Sequence, residues 1–141
     1  MSESYTFTVL GKASGKARPR TMRVTKKTGE QKMVTHSPDP GWFQYNVRKA
    51  AQEVIPAPLE GSVFVEVIVE RRIPKSWSKK RQVEAVGRYA TAKPDASNVL
   101  SAVHDALGGG VAYQDDVQVA KTSFVRLWAS RDATTITMEA L

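Results

Sequence analysis

Apolar and polar residues alternate from Tyr5 to Leu10 (Tyr-Thr-Phe-Thr-Val-Leu), the period of two expected of a half-buried strand. The period then lengthens. From Gly41 to Val54 the apolar residues Phe43, Val47, Ala50, Ala51 and Val54 fall at helical spacing, and Pro56 and Pro58 stop the run. Val63 to Ile68 is β-branched. It carries Val63, Val65 and Val67 on one face and Phe64 and Ile68 on the other, so the strand is predicted to lie inside a sheet rather than at its edge. A short helix capped by Ser76 or Ser78 and running to Gly87 is predicted next. Asp95 to Leu107 carries the clearest helical pattern. Val117 to Trp128 and Thr134 to Met138 read as two closing strands. The order strand, helix, strand, helix, strand, strand predicts an α+β fold: a small mixed β-sheet with helices packed on one face. No repeat, low-complexity tract or long linker divides the chain, so residues 1–141 are expected to form one domain.

Charge fills in what the pattern leaves blank. Gly11 to Thr35 is rich in Lys, Arg, Gly and Thr, and is predicted to be a basic loop or a hairpin turning at Thr28-Gly29. Between Met1 and His36 there are eight basic residues, Lys12, Lys16, Arg18, Arg20, Arg23, Lys26, Lys27 and Lys32, against Glu3 and Glu30. Arg71 to Arg88 is a second basic stretch. Over the whole chain 21 Lys and Arg face 14 Asp and Glu, a net charge of +7 that favours polyanions such as nucleic acid. Hydrophobic residues make up 41%, enough for a modest core. The absence of cysteine excludes a disulfide framework and a thiolate zinc site, and fits a reducing cytoplasm. No apolar run approaches the ~18 residues of a membrane span. The opening MSESYTFTVL lacks the charged start and cleavage site of a signal peptide. A cytoplasmic protein without a membrane partner is expected.

The acidic residues supply the chemistry. From Lys93 to Gln118 the chain holds Asp95, Asp105, Asp115 and Asp116 against one base, Lys93. A phosphodiesterase needs such a patch: Lys and Arg attract the backbone, while carboxylates hold a hard cation. On a helix from Asp95, the residues Val99, Leu100, Ala102, Val103, Ala106 and Leu107 form one apolar arc. Ser97, Asn98, Ser101, His104 and Asp105 form the opposite one. Gly108-Gly109-Gly110 ends the helix, and a tight return brings Asp115 and Asp116 towards its polar face. Plainer roles stay open for each acid: Asp95 as an N-cap, Asp115 and Asp116 as a solvated turn, Asp105 as part of a wet helix face. A site made only of Asp, Asn and His suits Mg²⁺ or Mn²⁺ better than zinc.

These residues resemble a known family. Lys93-Pro94-Asp95-Ala96-Ser97-Asn98, then Asp105-Ala106-Leu107, then Asp115-Asp116-Val117-Gln118-Val119 is similar to the signature of the RusA Holliday-junction resolvases: Lys/Arg-Pro-Asp-x-Asp-Asn, Asp-Ala-Leu and Asp-Asp-x-Gln-Val, at matching intervals. Gly11 to Arg20 resembles the family's early Gly-Lys-x-Arg-Pro-Arg element. Pro74 to Lys80 resembles its middle basic segment. The resemblance implies a homodimer, of a type common on phages and prophages, that binds four-way DNA junctions. One acidic site per subunit nicks opposing strands with Mg²⁺ or Mn²⁺ and leaves 5′-phosphate ends. It implies that Asp95 and Asp116 bind metal, with Asp115 beside them, and that Asn98 and Asp105 are structural.

Two positions depart from the signature. Ser97 stands where a second catalytic Asp is usual, and Ser101 where a catalytic Lys is common. His104, one turn from Ser101, is the candidate substitute as ligand or proton carrier. Lys93 and Lys121 are the candidate replacement cations. Arg18, Arg20, Lys79, Lys80, Lys93 and Lys121 are the candidate contacts to the DNA backbone. The departures also motivate an alternative, a weakened or inactive branched-DNA-binding protein on the same fold. A restriction-type nuclease would need Asp/Glu-x-Lys after Pro94-Asp95, and none follows. An RNA-associated basic protein has only composition in its favour.

Overall fold

The structure is a computed structural model and describes residues 3–15, 20–25, 31–36 and 41–141. The alternating opening segment is strand β1 (Ser4–Leu10), which buries Phe7 and Val9. The basic region that follows pairs with itself: β2 (Arg20–Thr25) and β3 (Gln31–His36) form an antiparallel two-stranded sheet, with Thr25 opposite Gln31. The predicted turn at Thr28-Gly29 lies outside the described residues. Helix α1 spans Gly41–Val54 and buries Phe43, Val47 and Ala51. Val54 is 39% exposed although it shares their helical spacing, because the chain turns there and buries Ile55 instead.

Strand β4 (Val63–Arg72) is longer than its apolar stretch predicts. Its backbone ladder continues past Ile68 to Arg72, opposite Ala129, so hydrogen bonding rather than hydrophobicity sets the end. Val63, Val65, Val67 and Val69 are buried, and Phe64, Glu66, Ile68 and Glu70 are half-buried. Helix α2 (Lys79–Ala85) is capped by Ser78, whose hydroxyl accepts the Arg81 N–H at 3.2 Å. It ends two residues before Gly87, the predicted limit. Helix α3 (Ala96–Leu107) has Asp95 as its N-cap and buries Val99, Ala102, Val103, Ala106 and Leu107. Strands β5 (Val119–Ala129) and β6 (Ala133–Ala140) close the chain.

The larger sheet has four strands in the order β1-β6-β4-β5. β6 runs antiparallel to both β1 and β4, whereas β4 and β5 are parallel. A parallel pair needs a long crossover. Here that crossover carries α2 and α3, and it therefore carries the acidic cluster. β4 is an inner strand, as its two apolar faces predict. Helices α1 and α3 pack on the face that presents Val65, Val67, Ile136 and Met138, and build one core with Phe7, Phe43 and Tyr113. On the other face Thr6 pairs with Thr137 and Thr8 with Thr135, hydroxyl to hydroxyl, at 2.9 and 3.0 Å. The fold is thus α+β with a mixed sheet. Among the described residues no helix is long and apolar enough to cross a membrane.

Candidate active site along helix α3

The N-terminal end of α3 is tied to the sheet. Arg126 of β5 donates hydrogen bonds to the carbonyls of Ala92 and Pro94, one on each side of Lys93. Burial lowers the pKa of this guanidinium, as does the charge of Arg71, and the Asp95 carboxylate opposes both. Asp95 follows directly. Its Oδ1 accepts the Asn98 N–H at 2.9 Å and the Ser97 hydroxyl at 3.1 Å. Ser97, at the position of the usual second Asp, thus donates its hydroxyl to Asp95. The segment leaving β1 lies tightly against this turn. A side chain at Gly15 would place its Cβ 2.9 Å from the Asn98 Cβ. Between that segment, the start of α1 and Lys93–Asn98 lies a cleft of about 750 Å³, with Lys12, Trp42, Lys93 and Asp95 on its walls. A second cleft, of about 410 Å³, shares Lys12 and adds Arg71, Arg72 and Lys75.

The C-terminal end of α3 is built by local turns. Gly109 and Gly110 have φ of +69° and +97°, which glycine alone adopts without strain. The turn closes through the Gly110 N–H to the Tyr113 carbonyl at 2.9 Å and the Ala112 N–H to the Leu107 carbonyl at 2.8 Å. Tyr113 is fully buried and donates its hydroxyl to the His104 carbonyl at 3.2 Å. Its phenol is pushed well above the ordinary value by burial, then by the charges of Asp116 and Asp105. Next comes a 3₁₀ turn (Asp116–Gln118) with Asp115 as its cap. Gln118 anchors it: Oε1 accepts the Gln114 and Asp115 N–H groups at 2.9 and 3.1 Å, and Nε2 donates to the Leu59 and Gly61 carbonyls at 3.0 Å. The Asp115 carboxyl is held below its ordinary value by the Val117 N–H, and next by a hydrogen bond with the Asp116 carboxyl.

The predicted site residues are placed as follows. Asp116 lies near enough to act on His104 and Tyr113, and Asp95 near enough to act on Arg126. Asp95, Ser97, Ser101, Asp105, Asp115 and Asp116 are all exposed. His104 is half-buried, and its Nε2 is buried with no hydrogen-bond partner among the described residues. Burial lowers its pKa, and the charges of Asp116 and then Asp105 partly restore it. Lys93 is exposed on the cleft beside Asp95. Lys79 and Lys80 begin α2 and are exposed. Lys121 stands elsewhere: its Nζ lies 4.9 Å from the centre of the Phe64 ring, on the sheet face that α1 and α3 leave open. Arg20 opens β2 opposite His36, and Arg18 lies outside the described residues.

Four contributors were missed in the sequence. Arg126 sits in a strand with no motif to mark it. Gln118 is visible within Asp-Asp-x-Gln-Val, but its anchoring role is not. Lys12 and Arg71 belong to noted basic stretches, yet only the clefts single them out.

Among the described residues no three His, Asp or Glu side chains gather into a ready-made metal cage. The exposed carboxylates suit instead a hard cation that keeps most of its water and takes substrate phosphate as a further ligand, which is how Mg²⁺ commonly binds.

Comparison with known proteins agrees with the motif. The model of the family described as "Endodeoxyribonuclease RusA" matches residues 11–139. A Bacillus subtilis (strain 168) protein, "Uncharacterized protein YqaN", is 33% identical over 117 residues, spanning 80% of each chain.

Proposed function

The chain belongs to the RusA endodeoxyribonuclease family, and from that premise we propose that it is a divalent-metal-dependent endonuclease that nicks four-way and related branched DNA in the cytoplasm, acting as a homodimer. The observation that carries this reading is the row of exposed acids at the two ends of α3, set within a chain of net charge +7.

Asp95 and Asp116, with Asp115 beside the latter, would hold Mg²⁺ or Mn²⁺. Bound there, the ion would activate water and neutralise charge building on the phosphorus. The chain's own residues do the rest. Ser97 and the Asn98 N–H orient Asp95, and Arg126 fixes the loop that carries it. Gln118 holds Asp115 and Asp116 in place. Lys93, beside Asp95 on the cleft, is the cation for the scissile phosphate, replacing the lysine absent at Ser101. His104 is the proton carrier: burial lowers its pKa, and the charges of Asp116 and then Asp105 oppose that lowering. Lys12, Arg71 and Lys75 line two clefts that share Lys12, and so mark a path for the DNA backbone. Arg18, Arg20, Lys79 and Lys80 would extend that contact. Lys121, on the open sheet face, would reach only a different part of the junction.

The test is a synthetic four-way junction incubated with the protein, with and without Mg²⁺, and read on a denaturing gel. Nicks leaving 5′-phosphate ends, abolished by EDTA, are expected. Ser97 and Ser101 favour one second reading, a branched-DNA-binding protein without cleavage. It predicts tight junction binding, indifferent to Mg²⁺, and no nicks.

A further inference from the structure

The cleft beside Asp95 has a feature that phosphate binding does not explain. Trp42, the second residue of α1, is 46% exposed on its wall. The ring is nonetheless held in place. It meets the fully buried Phe43 edge to face, centroids 5.9 Å apart at 75°. It also packs against Gly11, whose φ of +111° and missing side chain let the segment leaving β1 pass close to the ring. A large aromatic fixed in position and half in water is a stacking platform. Lys12 and Lys93 flank it, and Ser14, Asp95 and Asn98 supply polar groups.

Resting on the branched-DNA reading above, we propose that this cleft is a nucleobase subsite: an unpaired deoxynucleotide at the branch point stacks on Trp42, while Lys12 and Lys93 hold the adjoining phosphates. The volume of about 750 Å³ lies within the range of small-ligand sites. Every base offers a π-face, so stacking is tolerant of sequence, and the two lysines are point charges suited to phosphate. A base inside a duplex is covered on both faces and cannot reach Trp42. Only a nucleotide out of the stack enters, and a branch point, where stacking is interrupted, supplies one at lower cost than a continuous duplex. The subsite thus selects branched over linear DNA and places the neighbouring backbone beside Asp95.

The experiment uses full-length protein in EDTA, so that no strand is cut. Three labelled probes are compared: a four-way junction, a linear duplex and a short single strand. 5-Iodouracil is placed at the branch point, mid-arm or within the single strand. Trp42→Leu should weaken junction binding about 10-fold and leave duplex binding unchanged, while Trp42→Phe keeps most of the affinity. Ultraviolet crosslinking should join the branch-point base, and not the mid-arm base, to the peptide containing Trp42. Urea midpoints of the variants confirm that they fold. Junction preference that survives intact in a folded Trp42→Leu variant, or crosslinks that map elsewhere, would overturn the subsite while sparing the branched-DNA reading. A wild-type protein that crosslinks the single strand through Trp42 yet shows no preference for junctions would keep the subsite and sink that reading instead.

Discussion

The two ends of α3 reach comparable precision by different means. At the N-terminal end Asp95 caps its own helix, but the loop carrying it is held by Arg126, 32 and 34 residues further along the chain at its two carbonyl partners. At the C-terminal end most bonds are local: glycines at positive φ, Tyr113 on the His104 carbonyl, and Asp115 capping its own turn. Two ties reach far: Gln118 donates to the Leu59 and Gly61 carbonyls, and the Ala112 carbonyl accepts the Leu59 N–H at 2.7 Å. One carboxylate group is thus positioned by the sheet and the other by its own turn. Errors in the sheet should disturb Asp95 first, and errors in the loop should disturb Asp115 and Asp116.

Neutralising the acids tests the comparison hardest. Asp95→Asn keeps the cap, because asparagine accepts the same two hydrogen bonds and caps as well as aspartate. Stability should therefore stay near wild type while Mg²⁺-dependent junction nicking falls roughly 10²- to 10³-fold, the scale of losing one preorganised electrostatic contact. Asp116→Asn should lose about as much. Wild-type nicking by Asp95→Asn would reduce the N-terminal end to a helix cap.

The clamp and the anchor sharpen the contrast. Arg126→Met leaves the Ala92 and Pro94 carbonyls without their donor, and urea denaturation should show a loss of about 1–3 kcal/mol. Slower nicking should accompany it, with Arg126→Lys recovering part of both. An unchanged midpoint would mean that the sheet does not hold this loop. Gln118→Ala removes four hydrogen bonds, yet Gln114 and Asp115 are exposed and water replaces much of what is lost. The expected cost is smaller, about 1 kcal/mol, with nicking affected through Asp115 and Asp116 alone.

The smallest effect is a pH dependence at the C-terminal end. Burial lowers His104 from its ordinary value of 6.5. Between that lowered value and 6.5 the unfolded chain binds more protons than the folded one, so stability falls as the pH drops through this window. In metal-free buffer His104→Gln should flatten the slope. Asp116→Asn should carry the loss to lower pH, because a charge that raises His104 is gone. Urea midpoints from pH 7.5 downward measure it, and a wild-type protein that gains stability relative to His104→Gln on acidification would reverse the assignment.

What the sequence determined by itself was local. Period and capping residues sufficed for α1, for the Asp95 cap and buried face of α3, and for the abrupt stop at three glycines, because helices and turns are decided by neighbours within about four residues. The acidic cluster and its family signature were legible for the same reason, being contiguous in the chain. The tertiary structure decided what depends on distant partners: the parallel pairing of β4 with β5, the extension of β4 to Arg72, the side of the sheet on which Lys121 stands, and the clamp from Arg126. It also decided that the Ser97 hydroxyl would donate to Asp95 and that Trp42 would stand half-exposed over the cleft. Long-range pairing is set by which strands share a core and a hydrogen-bond ladder, and a spacing rule within one segment carries no record of it.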